Sequence, residues 1–377
     1  MERAMKTLYV TYHYLHGNGG GVYASRGYVN AFAELSDQLT LLCPVKDGKR
    51  PEGIRNGVQI MPVKYDKPQW IKFLHLLAGR LHRYYDVFDK ALASNRFDTV
   101  VFDACYASFR LIAKARRAGC RVITIHHNYQ MDYVRDNYRF PVRLPMLYWT
   151  RICEREAVQG SDLNLVLTDD DRLTLRRHYD KDGVCRFAVI GVFDYRREPL
   201  PQHPQVAAPV FILTGNLSMR QTEVPLLPWI DECYPELASC PAATGHLSVI
   251  VAGKDPSERL RARCLEAGIE VVASPTDMQA VLARGRYYIC PASNGGGLKL
   301  RMLDGLKNGM PVLAHVAAAR GYEPFVDRYV FCYRDRASFR EALKRMLDQE
   351  PDPEGLQRLY QEVFSFDAGL ERLRKLL

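Results

Sequence analysis

Two doubly wound α/β domains in tandem are what this sequence predicts, and three observations predict them. Short apolar runs rich in β-branched and aromatic residues alternate with helical-period segments along the chain. Those runs are apolar throughout rather than at every second position, the pattern of parallel strands covered on both faces. A stretch with four prolines, REPLPQHPQVAAP at 197–209, interrupts the alternation near its middle and reads as a linker.

In the first half, strands are expected near 6–13, 38–43, 58–63, 97–102, 120–126 and 162–167. Helices fill the gaps at about 20–36, 70–92, 106–118, 145–159 and 169–178. The second half repeats the plan, with strands near 209–214, 247–252, 269–273, 286–290, 311–315 and 328–332. Its helices are expected at about 222–233, 256–267, 276–284, 298–308 and 336–348. The domains are thus expected at 1–196 and 210–360, with a last helix at 361–377 returning to the first domain. In such sheets ligands bind at the carboxyl ends of the strands, so two facing domains would place the main site in a cleft between them.

A chain of 377 residues suits two domains, and its 47% hydrophobic and 25% charged content suits folded cores rather than disorder. No apolar run of about 18 residues exists to span a membrane, and MERAMKTLYVTYHY is too short an apolar stretch for a signal peptide. The ten cysteines form no CxxC pair, and Cys43, Cys105, Cys290 and Cys332 fall in expected strands. The reading is a reduced, cytoplasmic, soluble protein. Its net charge of +9 lies wholly in residues 1–190, while 191–377 balance to zero. A basic half suits a phosphorylated substrate, an anionic lipid surface or nucleic acid.

Three stretches carry chemistry. HGNGGGVYAS, 16–25, follows the first strand and opens a helix, placing Gly19, Gly20 and Gly21 where a backbone can approach an anion. It lacks the spacing of a dinucleotide fingerprint, and Cys43-Pro44 stands where a ribose-binding acid would be, so no nicotinamide or flavin is expected. PASNGGGLKLRMLDGLKNGMPVLAH, 291–315, places Gly295, Gly296 and Gly297 after a strand. A helix is expected from Leu298, with Lys299 in its first turn, where a cation opposes the helix dipole unless an anion lies between. Lys299 and Arg301 suit a diphosphate, and Asp304 an adjacent sugar hydroxyl. In ITIHHNYQMDY, 123–133, His126 and His127 end a strand and point to opposite sides. The Asp169-Asp170-Asp171 run reads as a helix start complementing the dipole, and no metal site is expected there or elsewhere.

The order of these segments resembles GT-B glycosyltransferases, two Rossmann-like domains facing across a cleft, and in particular the retaining family-4 group that builds bacterial surface polysaccharides. GGGLKLRMLDGLKNGMPVLAH is similar to that family's donor-site stretch, with Lys299 and Arg301 on its basic positions and Asp304 on its ribose-binding acid. TGNLSMRQTEVPLLPWIDECYP, with Gly215 and Asn216, resembles its first donor-domain turn. VAGKDP resembles the next turn, with Lys254 as a second diphosphate ligand. Gly19-Gly20-Gly21 and His127-Asn128 match its acceptor-domain glycine loop and strand-end histidine motif. The family often carries a glutamate eight residues before the second acid; here that position is Gly296, and the second acid is Asp rather than Glu.

The resemblance implies a hexosyltransferase that needs no cofactor or metal and takes a nucleotide diphosphate sugar as donor. Its acceptor would be a glycan or polyprenyl-linked molecule, at the inner face of the plasma membrane, with retention of configuration. Gly296 leaves open a sugar-nucleotide binder without turnover. A sugar-nucleotide epimerase would need paired acids and bases, and a nucleic-acid-binding protein would not explain the glycine-lysine stretch. In KPQWIKFLHLLAGRLHRYYDVFDKAL, 67–92, Trp70, Phe73, Leu74, Leu77, Leu81, Tyr84, Tyr85 and Phe88 share a helical face, with Lys72, Arg80, Arg83 and Lys90 mostly elsewhere. That pattern is read as a contact with an anionic membrane, against the alternative of packing on the sheet.

Overall fold

The computed structural model describes residues 5–17, 19–46, 48–64, 82–202, 209–242, 245–294 and 297–377. Two compact units emerge, Met1–Arg197 with Phe364–Leu377, and Glu198–Val363.

Among the described residues, unit 1 holds seven strands: β1 (Lys6–Thr11), β2 (Gln38–Val45), β3 (Gln59–Lys64), β4 (Thr99–Asp103), β5 (Arg121–His126), β6 (Leu163–Val166) and β7 (Phe187–Val189). They form one parallel sheet in the order β3-β2-β1-β4-β5-β6-β7. Every residue of β4 is buried, as is all of β1 after Lys6, which is why these strands read as unbroken apolar runs. The chain leaves β1 toward β2 and β3, then returns to β4 on the other side. The switch point therefore lies at the carboxyl ends of β1 and β4.

Six of these strands answer expected ones, and β7 has no counterpart in the sequence reading. The helix expected at 106–118 is two short ones, Cys105–Ser108 and Ile112–Arg117. Arg110 between them has φ +59 and its amide donates to Glu156, so Cys105 opens a helix rather than sitting in a strand. The helix Gln130–Asn137 was not expected. At 67–92 the described part is the helix His82–Ser94, and Trp70, Phe73, Leu74, Leu77 and Leu81 lie outside the described residues. Tyr84 and Phe88 of that stripe are buried against the sheet with Leu8, Val10 and Phe102, so these two face the core and not a membrane. The last helix, Phe366–Leu376, belongs to unit 1. Arg372 donates to the Ile190 carbonyl, and Gly369 lies so close to the Phe193 ring that a Cβ would meet it at 2.0 Å.

Unit 2 holds β8 (Val210–Asn216), a short hairpin of β9 (Pro241–Ala242) and β10 (Gly245–His246), then β11 (Ser248–Lys254), β12 (Glu270–Ala273), β13 (Tyr287–Cys290), β14 (Val312–His315) and β15 (Val330–Tyr333). Its parallel sheet runs β12-β11-β8-β13-β14-β15, with the switch point between β8 and β13. One face packs Phe211, Leu213, Val251 and Ile289 against Trp229, Leu260 and Phe339 of the covering helices. Of the proline-rich stretch, 203–208 lie outside the described residues.

Candidate functional site

Unit 2 gathers polar groups at the carboxyl ends of β8, β11 and β13. Gly215 pairs with Gly253, and Asn216 with Lys254, across neighbouring strands. A Cβ at Gly253 would stand 1.8 Å from the Gly215 carbonyl oxygen, so only glycine permits this approach. Asn216 accepts through Oδ1 from the Ser218 amide at 3.2 Å and hydroxyl at 2.7 Å, and so fixes the turn after β8. Lys254 is exposed and lies 3.8 Å from Asp255.

Beyond β13, Gly295 and Gly296 lie outside the described residues. The helix expected from Leu298 begins at Met302 and ends at Lys307. Two tight turns precede it: the Met302 amide donates to the Lys299 carbonyl and the Leu303 amide to the Leu300 carbonyl, each at 3.0 Å. Lys299 therefore lies outside the helix, and its opposition to a helix dipole does not hold. The Lys299 carbonyl also accepts from the buried Tyr322 hydroxyl at 2.9 Å, which pins the backbone there.

Arg301 reaches back to β8. Its Nη2 donates to Thr222 Oγ1 at 2.9 Å, and its guanidinium lies beside Gly215, where a Cβ would meet Nη1 at 3.4 Å. Asp304 faces the same strand. The Tyr288 hydroxyl bonds Thr214 Oγ1 at 2.5 Å, and Thr214 donates to Asp304 Oδ2 at 2.6 Å. Burial raises the Asp304 carboxyl above its usual range, against the Thr214 bond and the charges of Arg301 and Lys307. Gly305 holds this helix on the sheet, since a Cβ there would stand 2.6 Å from Tyr288. The structure thus brings Gly215, Arg301 and Asp304 together, with Thr214, Thr222 and Tyr288 as partners the sequence reading missed.

Unit 1 builds a second constellation from the ends of three adjacent strands. Asp103 ends β4 and is fully buried. His127 follows β5, and its Nε2 lies 2.5 Å from Asp103 Oδ1. His126 turns elsewhere, pairing with Asn164 Oδ1 at 2.9 Å. His13 follows β1, with its ring edge-on to His127 at 5.1 Å and stacked on Tyr12 at 4.3 Å. Gly19 is the N-cap of the helix Gly20–Leu35, and Gly21 in its first turn abuts His13, where a Cβ would stand 2.9 Å from the ring. Among the described residues, buried His13 Nε2, Asp103 Oδ2 and Asn128 Oδ1 find no hydrogen-bond partner.

The charges there are unequal. Burial lowers His13 to about 4, despite Asp103, so it stays neutral near pH 7. Burial alone would raise Asp103, but His127 above all, then His13 and Ser25, outweigh it and hold the carboxyl at about 2. A fixed anion against one imidazole orients the ring. His13, Asp103 and His127 also offer three ligand atoms within 4.8 Å of one another, a cluster the sequence reading did not single out. Two of those donors are already hydrogen-bonded to each other, the arrangement of an oriented imidazole. The Asp169–Asp171 run serves the fold: Thr168 caps its helix by accepting from the Asp171 amide, and Asp169 pairs with Arg172.

Residues 208–349 match the family described as Glycosyl transferases group 1. The matched residues fall within unit 2, Glu198–Val363. No curated protein matches the sequence. The fold is similar to that of sucrose-phosphate synthase from Thermosynechococcus elongatus, with TM-score 0.65, 13% identity, and 99% of this chain and 94% of that chain covered. It is similar to lipopolysaccharide outer core galactosyltransferase WaaB, with TM-score 0.66, 13% identity and 98% of each chain covered. It is also similar to Anabaena HepE in complex with UDP and glucose, with TM-score 0.66, 10% identity and 99% of each chain covered. The architecture is therefore GT-B. The matched residues contain the Gly215, Arg301 and Asp304 cluster, whereas the histidine cluster lies outside them.

Proposed function

We propose that this protein is a retaining hexosyltransferase, moving a sugar from a nucleotide diphosphate sugar to a glycan or polyprenyl-linked acceptor in surface-polysaccharide or glycolipid synthesis. The observation that carries the reading is the convergence of Arg301 and Asp304 on the glycine turn after β8, inside the matched domain. Loss of the diphosphate creates negative charge, which Lys299, Arg301, Lys254 and the glycine amides neutralise. With glycine at 296, no covalent intermediate forms on a side chain there, and the leaving phosphate assists the acceptor hydroxyl on the same face. His127 steadies the sugar as charge develops. The protein works peripherally at an anionic membrane and on no nucleic acid.

Nucleotide-sugar turnover with and without lipid-linked acceptors, preceded by a thermal-shift screen of UDP, GDP, ADP and dTDP, tests the reading. Binding of a nucleotide with no transfer to any acceptor would favour a non-catalytic binder, the reading that Gly296 suggests. Asp304→Ala should weaken nucleoside and nucleoside diphosphate alike, because its role is on ribose, and Asp304→Glu should be tolerated. Calorimetry in which Asp304→Ala binds both like the parent would remove that role. Metal independence is a separate expectation, resting on basic groups rather than a carboxylate cluster around residue 299. Added Mg²⁺ or Mn²⁺ should leave turnover of chelator-treated protein unchanged, and stimulation by either would end it.

A further inference from the structure

We infer that the exposed segment 138–151 of unit 1 is the surface by which the protein docks on an anionic lipid bilayer. This deepens the membrane-associated reading proposed above and rests on it for its purpose. The surface itself is read from side-chain exposure and charge.

The helix Arg143–Gly160 packs inward through Trp149, Cys153 and Ala157, which form a buried cluster with Cys105 and Phe109. At 100° per residue, the face opposite that seam carries Leu144, Tyr148, Arg151 and Arg155. The loop entering the helix adds Phe140 and Val142. Phe140 is 75% exposed, Tyr148 72%, Leu144 58% and Val142 46%. Large apolar side chains exposed side by side mark a contact surface, whereas single ones need no explanation. Neither element needs these residues for its own packing.

Charge selects the occupant. YRFPVRLPMLYWTR, 138–151, contains Arg139, Arg143 and Arg151 and no acid. An aromatic and aliphatic patch set among arginines matches a bilayer interface, where rings enter the headgroup layer and guanidinium groups meet lipid phosphate. The stripe at 67–92 is not needed for this, since of its described members Tyr84 and Phe88 lie in the core and Tyr85 packs against it.

Flotation with vesicles of phosphatidylcholine alone, or with phosphatidylglycerol added, tests the surface without any need for catalysis. The parent protein should float with the anionic vesicles and be released by salt. Phe140→Ser with Tyr148→Ser should weaken binding at least tenfold. Replacing Arg139, Arg143 and Arg151 by Gln should cost roughly fivefold per residue. Both sets of side chains are exposed, so the variants should keep the parent melting temperature and nucleotide-dependent thermal shift. If the parent floats and both variants float equally well, this surface is wrong while membrane attachment stands. If the parent ignores anionic vesicles, the surface and membrane attachment both fall, and the transferase reading is untouched. Dimerisation abolished by Phe140→Ser, without vesicle binding, would reassign the patch to a second copy of this chain and overturn the inference.

Discussion

Lys299→Ala should slow sugar transfer by roughly 10²–10³-fold, the usual cost of removing one electrostatic contact to developing charge. The change should be almost silent in stability. The Lys299 carbonyl keeps its bond from Tyr322, and the turn into Met302 is made by backbone alone, so truncating the side chain leaves the path of the chain intact. The small helix stabilisation expected from removing a first-turn cation should be absent, because the helix starts three residues later. Arg301→Ala should be as slow but less clean. It also gives up the bond to Thr222 and the packing beside Gly215, at about 1 kcal/mol of folding stability. Calorimetry separates diphosphate binding from ribose binding: Lys299→Ala should lose affinity for a nucleoside diphosphate and keep that for the nucleoside. If it binds the diphosphate and turns over like the parent, the basic pair is not where the leaving group sits.

The contrast between Lys299 and Arg301 also shows what the sequence could convey. Both domains were legible because strands buried on two faces leave unbroken apolar runs, as in the fully buried β4. The helix start is not legible because Leu298, Met302 and Leu303 keep an α-helical spacing while the backbone there closes i→i+3 turns that side-chain spacing does not reveal. The break at Arg110 was invisible for another reason, since a left-handed conformation at an arginine has no residue signature. Arg301, Asp304 and Gly215 could be singled out, but not Thr214 or Thr222, whose hydroxyls acquire meaning only when β8 lies beside the helix carrying Asp304. Asp103 did leave a trace. A carboxylate ending an apolar run, as in TVVFD, is costly to bury without a partner and so implies one nearby. His13 and His127, also just beyond strands, were the candidates.

Asp103→Asn should reveal what that carboxylate does, through stability and rate together. Its value of about 2 in the folded protein lies below the 3.8 of an unperturbed aspartate, so the folded chain holds the ionised form more tightly than the unfolded one. The resulting stabilisation, about 2 kcal/mol, is fully present above pH 4 and is lost as pH falls through 2. His13 and His126 act at higher pH. Burial lowers both to about 4 from 6.5, so the unfolded chain binds protons first and stability declines as pH falls from 6.5 to 4. Glu154 works the other way: burial raises it to about 8, and its contribution fades as pH rises from 4.5 toward 8. His126 and Glu154 are common to both proteins and largely cancel in a difference measurement. Asparagine keeps the shape and an acceptor for the His127 ring but lacks the charge. Denaturant unfolding should therefore show the variant weaker by about 2 kcal/mol near pH 7, with the gap closing only below pH 4. Turnover should fall at least tenfold, because a positioned group that stabilises developing charge contributes about 10²–10³ and the orientation of His127 rests on this bond. The double variant with His127→Ala should be no slower than His127→Ala alone, since both changes disable one ring. Fully multiplying defects would mean that Asp103 acts on something other than His127. A metal ion bound by the parent and lost from Asp103→Asn would make the three residues a ligand set instead.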